Sequence, residues 1–182
     1  MKKIISALSI VLIFSCNSDK TEPQVESMNT KNDSASTNVS YPYEILYSSQ
    51  FEIADNSNTQ TLMKIWKAWE SGNLSDAKDH FADSLEMHTA DGHILKGPRD
   101  SVMKNALDYR STLTSVTSTV DAVLSSRSKD KDENWVSIWG KEISTNTKGV
   151  TDSIYLHETW RFNKQGKVNF MLQYLRPAKP AL

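Results

Sequence analysis

The side chains able to do chemistry in this sequence are few, and Glu158 is the most suggestive of them. It lies in the run Leu156-His157-Glu158-Thr159-Trp160-Arg161-Phe162. Side chains on a strand alternate between faces, so Glu158 shares a face with Leu156, Trp160 and Phe162. A carboxylate among such neighbours is desolvated, which raises its pKa and suits it to act as a general acid or hydrogen-bond donor. The alternative is a strand glutamate paired with a basic residue or set at a solvated rim. The sequence has four histidines. His88 and His93 flank the pair Asp91-Gly92, and alternation places both opposite Thr89, close enough to be neighbours across two strands. His157 points away from Glu158. A two-histidine site without a carboxylate at the right spacing is a poor zinc candidate. No metal is therefore expected, and nothing in the sequence calls for a cofactor. Asp91 becomes a candidate base only if its turn folds over a pocket mouth; otherwise Asp91, Asp83 and Thr89 are ordinary turn, helix-exit and strand residues.

The sole cysteine, Cys16, follows a particular arrangement. Met1-Lys2-Lys3 precedes an apolar run from Ile4 to Phe14, and Ser15-Cys16 closes it. A short basic segment before roughly 7–15 apolar residues is a secretory signal, too short to span a bilayer. Ile13-Phe14-Ser15-Cys16 resembles the lipobox of bacterial lipoproteins, although Phe14 stands where a small or aliphatic residue is usual. The resemblance implies that Cys16 is lipidated with more than one acyl chain and becomes the mature N-terminus. Several chains anchor stably where one binds only marginally. The implied location is the bacterial cell envelope, lipid-anchored, facing the periplasm or the surface. With Cys16 consumed, no thiol remains for disulfides, zinc or nucleophilic catalysis.

Removing residues 1–15 takes away two lysines and no acid, which leaves 19 basic against 22 acidic side chains, net −3. That balance argues against a nucleic-acid partner, which would require a basic face. Residues 16–40 hold almost no large apolar side chains and read as a disordered tether behind the lipidated cysteine. Residues 41–60 are an N-terminal extension or a strand, residues 61–177 one domain, and residues 178–182 a tail.

The elements that must position Glu158 follow in order. Leu62, Ile65, Trp66 and Trp69 recur at helical spacing up to Gly72. Ser75 is expected to cap a shorter helix over residues 76–82, with Ala77 and Phe81 inward. Strands over 85–90 and 93–96 flank Asp91-Gly92, a two-residue hairpin signal. Gly97-Pro98-Arg99-Asp100 opens a third helix to about Arg110, with Val102, Met103, Ala106, Leu107 and Tyr109 available for burial. Strands are predicted over 115–126, 135–145, 152–163 and 168–175, the last after the turn Asn163-Lys164-Gln165-Gly166-Lys167. The order predicts an α+β fold with helices on one side of a curved antiparallel sheet.

That order, together with Trp66-Lys67-Ala68-Trp69-Glu70-Ser71-Gly72-Asn73-Leu74, His80-Phe81-Ala82-Asp83, Asp91-Gly92 with Gly97, and Glu158-Thr159-Trp160-Arg161-Phe162-Asn163 with Gly166-Lys167-Val168, resembles the nuclear transport factor 2-like superfamily and its SnoaL-like branch. The resemblance covers residues 61 to about 175. It implies a cone-shaped roll, a curved antiparallel sheet wrapped around a long N-terminal helix plus two further helices, with an apolar pocket at one end. The implied pocket residues are Ile65, Trp66, Trp69, Met87, Thr89, Leu156, Glu158, Trp160 and Phe162. It also implies that the outer sheet face, where His88, His93 and His157 would lie, can form a homodimer.

Comparison with the ketosteroid isomerases of that superfamily puts the general-base aspartate on Thr89 and the oxyanion tyrosine near Ile65. The oxyanion aspartate falls on Glu158. General-base catalysis is worth about 10²–10⁴-fold and an oxyanion donor about 10²–10³-fold, and neither Thr89 nor Ile65 supplies them. Isomerisation by that mechanism is not expected. Three functions follow as expectations: a cell-envelope lipoprotein binding a small apolar ligand without catalysis, an enzyme using Glu158 as acid or base on a hydrophobic substrate, or a pocketless interaction module. A cavity plugged by Trp160 and Met171 would favour the last.

Overall fold

The structure, a computed structural model, describes residues 40–178. Cys16, the expected signal segment 1–15 and the expected tether up to residue 39 lie outside the described residues, as do residues 179–182 of the expected tail.

Seven strands and three helices follow in the order β1 (Phe51–Ile53), α1 (Ser57–Ser71), a 3₁₀ helix (Leu74–His80), β2 (Phe81–His88), β3 (Ile94–Pro98), α2 (Arg99–Ser111), β4 (Leu113–Ser128), β5 (Glu133–Asn146), β6 (Thr151–Phe162) and β7 (Val168–Pro177). They form one open sheet in the order β1-β4-β5-β6-β7-β2-β3. All pairings are antiparallel except β2 with β7, which run parallel, so the sheet is mixed. The fold is the α+β roll anticipated from the element order.

Helix α1 fills the concave side. Leu62, Ile65 and Trp66 are buried, as their spacing requires. Its C-terminus is closed by Gly72 at φ 79°, where Gly72 N–H donates to the Trp69 carbonyl and Asn73 N–H to the Ala68 carbonyl. This paired closure needs the left-handed conformation that glycine adopts without penalty. Arg110 of α2 completes the end, its Nε, Nη1 and Nη2 donating to the carbonyls of Trp69, Leu113 and Glu70. One guanidinium thus ties α2 and the start of β4 to the last turn of α1.

The sheet bends where strand pairing slips. The β4–β5 register shifts between Val120 and Ala122, and such a bulge adds local twist and curvature. Directly opposite Val120 stands Gly140. A Cβ placed on Gly140 would clash with the Thr119 carbonyl oxygen and lie 3.0 Å from the Trp66 ring. The bare backbone of Gly140 is what lets the Trp66 indole lie against the sheet.

Three local expectations are corrected. The second helix is a 3₁₀ helix ending at His80, and Ser75 does not cap it. Phe81 and Ala82 belong to β2 instead, because Phe81 pairs with Val168 of β7 and both are buried. The strand period of Leu85 and Met87 therefore begins earlier than helical patterning suggests. The extension over residues 41–60 contains both β1, paired with Ser126–Ser128, and the first turn of α1, where the Asp55 carboxylate accepts the Ser57 N–H. Lastly, the Asp91-Gly92 turn is wider than two residues. Thr89 N–H donates to the His93 carbonyl and Gly92, at φ 88°, donates to Thr89, giving the longer loop that a left-handed glycine permits.

Candidate functional site

A cavity of about 640 Å³ lies between α1, α2 and the concave face of the sheet. Its walls are mainly apolar: Ile65, Trp66, Leu74, Phe81, Met87, Leu95, Ile154, Leu156, Trp160 and Met171 among them. Trp160 and Met171 line this space and do not plug it. Ile65, Trp66, Trp69, Met87, Thr89, Leu156, Glu158 and Trp160 all lie on the wall. Phe162 is buried on the same side of β6 but belongs to the core beyond the cavity. The three positions matched to the isomerase site, Ile65, Thr89 and Glu158, are thus brought to one space.

Glu158 is 5% exposed and flanked by donors. Its Oε2 accepts the indole N–H of Trp66 at 2.9 Å and that of Trp160 at 3.0 Å, and its Oε1 accepts the side-chain amide of Gln173 at 2.8 Å. The Gln173 carbonyl oxygen in turn accepts the backbone N–H of Ala90 at the rim. Each donor follows from local structure. Trp66 is carried by α1 and seated on Gly140, Trp160 lies two residues along the same strand, and Gln173 is the β7 residue paired opposite Glu158. Burial pushes the Glu158 carboxyl above its ordinary value. The donors from Gln173, Trp160 and Trp66 pull the other way, and the charge of Glu142 adds to the rise.

Glu142 is the residue that sequence reasoning missed. It is 7% exposed and lines the same cavity. Val136, Ile138, Gly140 and Glu142 alternate inward along β5, so the argument applied to β6 would have found it. The obscuring feature is Gly140, which interrupts the apolar run just before the acid. Trp69 Nε1 donates to Glu142 Oε2 at 2.8 Å. Glu142 Oε1 has no hydrogen-bond partner among the described residues. Burial raises the Glu142 carboxyl above its ordinary value, opposed by the Trp69 donor and the Arg110 charge. Glu158 pairs with Ile138, four positions from Glu142 along β5, roughly 13 Å of strand. The two acids occupy separate stations and do not share a proton.

The mouth is formed by the β2–β3 loop and α2. Asp91, His93 and Tyr109 all line the cavity. His93 therefore does not join the outer face, because the widened loop resets the alternation. The Thr89 hydroxyl donates to the Asp91 carboxylate, and this bond, then the His93 backbone N–H, holds Asp91 below the ordinary carboxylate range. Tyr109 stacks on Trp69 with ring centroids 6.1 Å apart at 15°. Burial raises the Tyr109 phenol above its ordinary value, and the charges of Glu142, Asp152 and Asp91 add to that.

The outer face carries His88, packed against Phe170, and His157, stacked on Trp139 at 4.7 Å and 11° with Tyr174 alongside. Among the described residues no three His, Cys, Asp or Glu side chains converge as a metal site would require.

Several solved structures share this architecture. An NTF2-like protein of unknown function from Burkholderia pseudomallei superposes with TM-score 0.55 at 15% identity, covering 68% of this chain and 92% of its own. The epoxide hydrolase/cyclase-like enzyme SalBIII, described for its role in pyran ring formation in the polyether salinomycin, gives 0.55 at 12% identity, covering 66% and 92%. AusH from Aspergillus nidulans gives 0.55 at 9% identity, covering 71% and 90%. The chain has the nuclear transport factor 2-like fold. No protein-family model and no curated protein matches the sequence. Identities this low show the fold alone. Nuclear transport factor 2-like structures include cyclase-like enzymes and proteins of unknown function, so the fold supplies a cavity and leaves its use to the side chains.

Proposed function

We propose that this chain is a lipid-anchored protein of the bacterial cell envelope whose cavity binds a small, mainly apolar molecule without transforming it. The observation that carries this reading is the occupancy of Glu158. Both its oxygens accept N–H groups from its own walls, so the carboxylate is spent on holding the cavity together. The position opposite, where a general base would stand, is Thr89, whose hydroxyl donates to Asp91. A largely apolar space of several hundred Å³ with a few placed polar groups is what small-molecule sites require. That volume weighs against the pocketless interaction module.

The experiment is mass spectrometry of small molecules that co-purify with the full chain. A stoichiometric, chemically unaltered hydrophobic compound is expected; recovery of a substrate–product pair in its place would sink the non-catalytic reading. The enzymatic alternative draws support from the burial that raises the Glu158 carboxyl. Once a ligand is known, Glu158→Gln decides between them, since an acid–base enzyme would lose about 10²–10⁴-fold in turnover.

The anchor has its own test. Cys16→Ala should abolish labelling by a fatty-acid probe, and persistent labelling would refute lipidation. A homodimer through the outer face is also proposed, supported by the exposed aromatic surface of Trp139 and Tyr174. Sedimentation analysis of the full chain, with Trp139→Glu as the disrupting variant, reads that directly.

A further inference from the structure

Every charged side chain that lines the cavity, apart from the histidine at its mouth, is acidic: Glu142, Glu158 and Asp91. Among the described residues no lysine or arginine lines it. The nearby cation, Arg110, has its Nε, Nη1 and Nη2 donors turned to main-chain carbonyls at the end of α1 and the start of β4. It rests on the Trp69 ring, 6.0 Å from the centroid, and makes no hydrogen bond to Glu142.

The two acids differ in what they leave available. Glu158 has both oxygens engaged by donors. Glu142 is more than nine-tenths buried, takes one indole N–H on Oε2 and faces the cavity with Oε1 unpartnered. Among the described residues Glu142 Oε1 is not one of the fully enclosed atoms left without a partner; it opens on the cavity, where a donor brought by an occupant can reach it. Beside it stand the stacked rings of Trp69 and Tyr109, an aromatic wall against which an apolar body can pack. An unpartnered acceptor next to an aromatic pair, at the end of an otherwise apolar space, is complementary to a positive charge carried on an apolar body.

We propose that the occupant of this cavity is an organic cation, a primary or secondary amine on an apolar or aromatic body, with its ammonium donating to Glu142 Oε1 beside Trp69 and Tyr109. The body extends along Ile65, Leu156 and Met171 toward Glu158. The proposal rests on the ligand-binding reading above and names the class of molecule. Binding is non-covalent, and no bond is made or broken.

The test compares two molecules of nearly the same shape, para-phenylbenzylamine and para-phenylbenzyl alcohol. Each is titrated by calorimetry into the full chain held in lipid nanodiscs at neutral pH, with empty nanodiscs as the blank. The amine is expected to bind about tenfold or more tightly than the alcohol, a charge-assisted hydrogen bond being roughly twice as strong as a neutral one. In Glu142→Gln that preference is expected to vanish, and a circular dichroism spectrum and Tm matching those of the parent show that the variant is folded. Equal affinities, or a preference for the alcohol, would overturn the cation and leave the ligand-binding reading standing. A preference that survives Glu142→Gln would overturn the assignment to this carboxylate. Should neither compound bind, the ligand-binding reading falls, and the proposal with it.

Discussion

Glu158 and Glu142 stand on neighbouring strands, face one cavity and are each held by an indole from the same helix. Their surroundings differ in one respect. Glu158 accepts three N–H groups, from α1, β6 and β7, whereas Glu142 accepts one and faces open space with its other oxygen. The inner acid is therefore a structural joint, and the outer acid remains free to meet something else. Burial alone does not make a carboxylate functional. What decides is whether its lone pairs are already taken.

The largest way to break this comparison is to remove each acid. Glu158→Leu strands two buried indole N–H groups and the part-buried Gln173 amide, and since an unsatisfied buried group costs about 1–3 kcal/mol, the loss should reach about 3 kcal/mol. Glu142→Leu strands a single indole N–H and should cost about 1 kcal/mol. Urea denaturation measures both, and equal losses would contradict the division of roles. Next comes Gly140→Ala. Its methyl would meet the Thr119 carbonyl and the Trp66 ring, so overpacking of about 1–3 kcal/mol is expected. Coupling this variant with Glu158→Gln in a double-mutant cycle should show non-additivity, and coupling with Glu142→Gln should not.

A pH titration of stability sharpens the same contrast. Both carboxyls are raised by burial, so between the ordinary carboxylate value and the raised ones the folded chain keeps protons that the unfolded chain has released. Their contribution to stability is fully present below the ordinary value and is lost as pH rises through the raised values. Carboxylates with lowered values, among them Glu86 and Asp132, act with the opposite sign, so the readout is the difference between variant and parent. Glu158→Gln should remove a falling slope above the ordinary carboxylate range. An unchanged profile would mean that Glu158 is not raised. The smallest effect is Thr89→Val at the mouth, where loss of an exposed bond to Asp91 should change stability by less than about 0.5 kcal/mol.

Much of this was legible because strands and helices have fixed periods. The spacing of Leu62, Ile65 and Trp66 gave the buried face of α1; the alternation of Leu156, Glu158 and Trp160 put the acid among apolar neighbours, while the family resemblance, and not the alternation, pointed that face into the pocket. The parallel pairing of β2 with β7 was hidden, because pairing partners distant in sequence leave no local trace. Phe81 looked helical for the same reason. Gln173 could have been found from the alternation of Met171, Gln173 and Leu175, all of which line the cavity. The unpartnered oxygen of Glu142 could not, since it depends on where Trp69, Tyr109 and Arg110 come to rest in three dimensions.

One further consequence follows from Trp66 and Trp69 sitting three residues apart on α1. Their indoles are pinned to different strands, β6 through Glu158 and β5 through Glu142. A shaft held by two pins at different heights can neither slide nor turn. Sliding α1 by one helical turn, about 5.4 Å, would break both bonds together. The size of the cavity is therefore gauged by the helix itself, and amides in the middle of α1 should exchange with solvent only when the whole fold opens.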